Sequence, residues 1–237
     1  MTLISYDRRR STRGQSVSFP SVPTGYDVAK HVHAGRTDCH LTVGFDRERS
    51  HIPRFLVQLH YQTATDPIQW DPIARMDHNE TSPMGHDVYQ EGLHVDVARR
   101  STRTVHLGVS HPPLPANRGY VVRGCVDYFR QETNYFITVY EERRRPGRPP
   151  RWSPDGGESA GTFISPNLLE ETMSRKAPVE EEDVLSVEEL TELLAEATDT
   201  TPEDIERGAA ELALAPPEEA QVVEYGERGS LSKRDGE

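Results

Sequence analysis

The chain contains few cysteines, few lysines and no long apolar run. Cys39 and Cys125 are its only cysteines, which excludes a disulfide framework and a four-thiolate zinc site. No apolar run approaches the roughly 18 residues that span a bilayer. The basic triplet at residues 8–10 is not followed by the apolar stretch of a secretory signal. These absences predict a cytoplasmic protein with no membrane partner.

Arginine replaces lysine almost throughout, because only Lys30, Lys176 and Lys233 occur among 27 basic residues. Residues 1–150 hold 20 basic and 16 acidic residues, a net charge of +4. Residues 151–237 hold 7 basic and 23 acidic residues, a net charge of −16. An acidic, arginine-rich composition is typical of GC-rich genomes and of high-salt cytoplasm. The uneven division of charge predicts different partners for the two halves, or a contact between them.

The hydrophobic pattern divides the chain into four parts. They are a polar arm (1–26), an α+β body domain (27–143), a flexible linker rich in Pro, Gly and Ser (144–180) and an acidic tail (181–237).

The body is predicted to be a mostly antiparallel sheet of five to six strands with one main helix. Alternating apolar and polar residues predict strands at 40–45, 54–61, 69–77, 87–97, 103–109 and 134–140. Asn117 caps the predicted helix, whose apolar residues recur three and four positions apart to about residue 131. The last segment is aromatic and β-branched, which favours a strand over a continued helix.

Two short helices are predicted in the acidic tail. Ser186 and Glu189 form a capping box, and Thr201 followed by Pro202 is typical of a second helix start. Isolated helices of about 12 residues are marginal in water, so they need a surface to pack on. That surface could belong to the body, to a second copy or to another protein. An acidic segment could also cover a basic nucleic-acid site.

Residues 75–96 hold most of the proton-handling side chains. On one predicted strand His94 and Asp96 share a face, and on the preceding strand Arg75 and Asp77 share a face. A hairpin across residues 78–87 would bring the four together, with His86 close by. An Asp orients a neighbouring His for proton transfer, and an Arg binds phosphate. We predict acid–base cleavage of a phosphodiester; the alternative is a polar hairpin of ion pairs.

Metal binding is a further hypothesis, because all ten histidines lie between His31 and His111. No established metal-ligand spacing is present, so no metal site and no other cofactor are predicted. If a metal were bound, its ligands would come from His31, His33, His78, His86, His94, Asp77, Asp87 and Asp96.

A basic, Pro-rich stretch follows the body. Residues 146–149, with the sequence PGRP, resemble the Gly-Arg-Pro core of an AT-hook, although Pro146 stands where that motif has Arg. A stiff, solvated linker is the alternative. The residues predicted to contact nucleic acid are Arg75, Arg99, Arg100 and Arg148.

The pattern R-x-D-H, G-H and L-H-x-D resembles the core of TumE-type toxins and their uncharacterised archaeal relatives over about residues 54–140. The residues that carry the resemblance are Arg75, Asp77, His78, Gly85, His86, His94 and Asp96. That family consists of small α+β domains encoded beside an antitoxin and thought to act on RNA or translation. The long acidic extension departs from its pattern.

The resemblance implies a ribonuclease-like or RNA-interfering domain. We therefore expect RNA as a partner, with an antitoxin or another protein bound through residues 184–214. The rival hypothesis is a non-catalytic adaptor whose tail helices dock a partner, and a third is a metal-dependent enzyme.

Overall fold

The computed structural model describes residues 19–82, 85–111, 113–150 and 184–214. Most of the predicted arm, the linker beyond residue 150 and the segment after residue 214 lie outside the described residues. The described elements are, in chain order, β1 (Val28–His33), β2 (Cys39–Phe45), β3 (Arg54–Thr65), β4 (Ile68–Asn79), α1 (Val88–Glu91), β5 (His94–Val97), β6 (Val105–Gly108), α2 (Arg118–Tyr140), β7 (Val184–Leu185), α3 (Val187–Thr198) and α4 (Pro202–Leu214).

The strands form one sheet in the order β6-β5-β4-β3-β2-β1-β7. All neighbours are antiparallel except β7, which runs parallel to β1. The α+β class and the mostly antiparallel sheet are confirmed. The predicted count of five to six strands is wrong, because seven strands pair within the described part of the chain. The prediction omitted β1, and it omitted β7, whose two residues carry too little pattern to be read as a strand.

The core lies between one face of the sheet and α2. In β3, Phe55, Val57 and Leu59 are fully buried, whereas Leu56 and Gln58 between them are only partly buried. They pair directly with Phe45, Val43 and Leu41 of β2, so both strands bury the same face. Each such side chain contributes about 1.5–3 kcal/mol on burial. The opposite face of the sheet, away from α2, is therefore available for polar side chains.

Helix α2 is longer than predicted. It begins where expected, with the Asn117 side chain accepting a hydrogen bond from the Gly119 backbone amide. The strand predicted at 134–140 is wrong, because the helix continues to Tyr140. Phe129, Phe136 and Tyr140 are buried at helical spacing. Burial of this continuous apolar face outweighs the local preference of aromatic and β-branched residues for strands.

The strand predicted at 87–97 is also wrong in its first half. Asp87 caps the single turn α1 by accepting from the Tyr89 amide, and Gly92, with a positive φ of 81°, ends it. Only His94–Val97 form the strand β5. A side chain that satisfies a free helical amide favours a turn over a strand here.

The two tail helices fold onto the body. Both pack against α2, and α3 also contacts β1 and β7. Ser186 and Glu189 form the predicted capping box. Leu190, Leu194 and Ile205 are fully buried, so the apolar stripes are used within the chain. Among the described residues, no helix is long and apolar enough to cross a membrane.

Candidate functional site

The sheet surface opposite α2 is rich in histidine, and we call it the histidine face. Direct cross-strand pairing places His33 beside His40 and His40 beside His60. Farther along, Arg75 pairs with Asp96. The histidines on this face are His31, His33, His40, His60, His94 and His106.

Residues 19–27 cross the β1–β2 half of this face. The Phe19 ring lies 4.9 Å from the His40 ring. Tyr26 packs on Gly44, where an added Cβ would lie 2.7 Å from the Tyr26 ring. The other half of the face is more open, since the side chains of Arg75 and His106 are 52% and 64% exposed. Among the described residues of this face, the side chains of β4 and β6 are therefore the more accessible to solvent.

Asp96 is the centre of the exposed half. Its side chain is only 7% exposed, and each oxygen has its own partner. Nε of Arg75 donates to Oδ2 at 3.0 Å, and Nη2 lies 2.9 Å from the same oxygen as part of the ion pair. Nδ1 of His106 lies 2.5 Å from Oδ1. Asp77 adds a carboxylate 3.6 Å from the Arg75 Nε. A buried carboxylate held by these partners orients the imidazole of His106.

His94 and His86 complete the cluster. Nε2 of His94 lies 3.7 Å from the Asp96 Oδ1, and the rings of His94 and His86 are 3.8 Å apart. Nδ1 of His86 lies 2.5 Å from Oε2 of Glu91. Because a carboxylate only accepts, the proton is on Nδ1 of His86. The His86 Nε2 is buried and has no hydrogen-bond partner among the described residues.

Burial lowers the pKa of His94, and the nearby His86 lowers it further, against the opposing charge of Asp96. These surroundings favour the neutral form of the His94 ring. On the covered half, burial lowers the pKa of His40 to about 3 and that of His60 to about 4. These two rings hydrogen-bond to His31 and Thr42 at 2.8 and 3.0 Å.

The structure brings together all five residues predicted as catalytic, His94, Asp96, His86, Arg75 and Asp77. The partner assigned to Asp96 needs correction, because its closest imidazole belongs to His106 and not to His94. The prediction missed His106 although it lay in a predicted strand. The alternation of Val105, His106 and Leu107 matches that of β5, and this match was the available signal.

The residues predicted to bind nucleic acid are more dispersed. Arg75 is engaged by Asp96, and Arg148 donates to the Ser110 hydroxyl at 2.6 Å. Arg99 lies 4.0 Å from Glu142, and Arg100 is exposed.

The β5–β6 loop is held at the end of α2. The Arg100 amide donates to the Tyr140 carbonyl at 2.9 Å, and Glu142 accepts from the Ser101 amide at 3.1 Å. These contacts join two basic segments of the chain. We call the resulting surface the arginine patch; it consists of Arg99, Arg100, Arg103, Arg143, Arg144 and Arg145.

The arginine patch adjoins the histidine face. Val97 and Val105, which flank the loop, form the pair next to Asp96 and His106. At about 3.3 Å per strand residue, the loop begins within roughly 10 Å of the cluster.

Three side chains of the exposed half have the geometry of metal ligands. One ligand atom from each of His94, Asp96 and His106 lies within 4.8 Å of the other two. The same groups can transfer protons without a metal, so both kinds of chemistry are compatible with the site.

Comparison with known proteins places the site within a recurring domain. Residues 29–146, just under half of the chain, match the model of a protein family described as a domain of unknown function (DUF7718). The matched segment includes β2 to α2 and every residue of the cluster. No curated protein and no solved structure matches the chain.

Proposed function

We propose that this chain cleaves RNA at the exposed half of the histidine face. The observation that carries the proposal is the position of Asp96, a buried carboxylate that holds Arg75 by one oxygen and His106 by the other. Such an arrangement joins a group that handles protons to a group that binds phosphate. The residues lie on paired strands, which hold them rigidly.

The chemistry that suits this cluster is attack of an RNA 2′-hydroxyl on the adjacent phosphorus. The cluster of Asp96, His94 and His106 takes the proton of the attacking hydroxyl and returns a proton to the 5′-oxygen that leaves. The products are a 2′,3′-cyclic phosphate and a free 5′-hydroxyl. The Arg75 guanidinium, 52% exposed, stabilises the charge that develops on phosphate oxygens.

RNA is favoured as the substrate class for two reasons. The arginine patch carries six arginines, with Glu141 and Glu142 as the acidic residues paired to it, so it attracts a phosphate backbone. The resemblance to TumE-type toxins points to RNA, and a toxin encoded beside an antitoxin is the cellular role that we propose with it.

The adaptor alternative depends on an apolar surface of residues 184–214 that a partner could cover. Leu190, Leu194 and Ile205 are already buried against the body, so a docked protein would need other residues of this segment. The acidic helices α3 and α4 pack on α2, which lies on the other side of the sheet from the histidine face. These contacts favour a structural role for the two helices.

Cleavage of a fluorogenic single-stranded RNA by the full chain tests the proposal. We expect His106→Ala and Asp96→Asn to lower kcat/KM by about 10²- to 10⁴-fold, the usual contribution of a positioned proton-transfer group. His33→Ala is the matched control, because His33 is an exposed histidine of the same face outside the cluster. Equal cleavage by all four proteins, or none by the wild type, would refute the proposal.

A further inference from the structure

We propose that His94, Asp96 and His106 form a binding site for one divalent transition-metal ion, with Zn²⁺ as the first candidate. The inference deepens the proposed function. Metal binding itself does not depend on RNA cleavage, and only the catalytic role of the ion rests on the proposed function. Its structural basis is the convergence of two imidazole nitrogens on a single carboxylate oxygen, Oδ1 of Asp96.

The ligand atoms must shift before they can hold a metal ion. In a tetrahedral site with bonds of about 2.0–2.2 Å, neighbouring ligand atoms lie about 3.3–3.6 Å apart. The contact of His106 with Oδ1 is 2.5 Å and that of His94 is 3.7 Å, so the first must lengthen by roughly 1 Å and the second shorten only slightly. The His106 side chain is 64% exposed on the edge strand β6, which leaves it room to move.

Arg75 positions the Asp96 carboxylate for a metal ion. Both Arg75 contacts are to Oδ2, so Oδ1 remains for His94 and His106. A carboxylate ligand that is also hydrogen-bonded on its other oxygen is the usual arrangement in metal sites. A further carboxylate, Asp77, lies 3.6 Å from the Arg75 Nε and offsets the positive charge of the guanidinium.

His86 contacts the cluster but is not one of the three ligands. Its ring lies 3.8 Å from the ring of the ligand His94, and its Nδ1 lies 2.5 Å from Oε2 of Glu91. This packing restricts the position of the His94 ring beside Asp96.

The donor set restricts the identity of the ion. Two imidazoles and one carboxylate suit Zn²⁺, Fe²⁺ or Ni²⁺ better than Mg²⁺ or Ca²⁺, which prefer oxygen ligands. Three protein ligands leave at least one position for water, as in catalytic zinc sites. A metal-bound hydroxide would take the proton of the attacking 2′-hydroxyl and become water, which then returns a proton to the leaving 5′-oxygen.

The site is tested by titrating the full chain, freed of any affinity tag and treated with a chelator, with Zn²⁺ in a calorimeter. We expect one Zn²⁺ per chain. Loss of a ligand in His106→Ala or Asp96→Asn should weaken binding by more than the roughly 10–100-fold that changes around a site cause. His33→Ala is the control that keeps all three ligands, and circular dichroism shows whether each variant is folded.

Absence of stoichiometric binding would overturn the inference, and so would equal affinity in His106→Ala, Asp96→Asn and His33→Ala. RNA cleavage measured on the same samples separates the two proposals. Cleavage that persists in metal-free protein without Zn²⁺ binding would refute the metal site and leave the function standing. Zn²⁺ binding without cleavage under any metal condition would support the site and refute the function.

Discussion

Acidification should destabilise this fold through two buried histidines of the covered half of the histidine face. His40 and His60 are 4% and 5% exposed, and burial lowers their pKa values to about 3 and about 4. Around them, His31 contributes a hydrogen bond to His40, and Thr42 contributes one to His60. Both rings therefore stay neutral in the folded protein at pH values where an unfolded chain protonates them.

The sign of the effect follows from proton binding. The unfolded state, with a histidine pKa of about 6.5, binds more protons than the folded state between that value and the lowered folded value. The stabilisation is complete above about pH 6.5 and is lost as the pH falls toward 4. Between about pH 7 and pH 5 the linkage relation predicts a loss of about 2 kcal/mol for each ring, or about 4 kcal/mol for both.

Urea unfolding of the full chain, followed by circular dichroism at about pH 7 and about pH 5, measures this loss. The double variant His40→Gln and His60→Gln should be less stable at neutral pH, and its loss of stability between the two pH values should be smaller than that of the wild type by about 4 kcal/mol. The dependence that remains comes in part from His78 and His94, whose pKa values burial also lowers. His33→Gln, which changes an exposed histidine, should keep the wild-type dependence. An unchanged pH dependence in the double variant would show that other groups cause the acid lability.

Two further predictions concern the tail and the arginine patch. Leu190→Ala removes a fully buried side chain of α3 and should lower the free energy of unfolding by about 2–5 kcal/mol. The control Glu192→Ala changes an exposed residue of the same helix and should alter this free energy by less than about 0.5 kcal/mol. Equal effects of the two substitutions would mean that α3 is not packed on α2. In the double variant Arg100→Ala and Arg145→Ala, the slope of log K for single-stranded RNA binding against log salt concentration should become less steep by about 0.7 for each phosphate that the protein no longer neutralises. An equal change of this slope in Arg207→Ala, on the distant α4, would contradict a role of the arginine patch in RNA binding.

The periodicity of the sequence was informative wherever a segment was buried on one face only. β3 alternates buried Phe55 and Val57 with less buried neighbours, and α3 carries its capping box and apolar stripe. Strand parity predicted that Arg75 and Asp77 share a face that a hairpin would bring near Asp96, and the structure places Arg75 directly opposite Asp96. Such local patterns depend on the backbone geometry of a single element, so they can be read without knowing its neighbours.

The same reasoning failed where contacts between distant parts of the chain determine the local structure. Residues 134–140 have strand-forming side chains, but burial of Phe136 and Tyr140 extends the helix. His106 became the partner of Asp96 through the register of β5 and β6, and the spacing of 10 residues between them does not specify that register. Likewise, β7 exists because Val184 and Leu185 pair with the edge strand β1.

The sequence by itself therefore determined the class of fold, the two tail helices and the segment that holds the reactive side chains, because each depends on short-range periodicity and capping. Only the tertiary structure decided which imidazoles meet at Asp96, that the histidines of several strands share one face, and that the acidic helices pack behind the sheet. Those relations arise from strand register and from the burial of apolar surface between segments far apart in the chain, and both are properties of the assembled sheet.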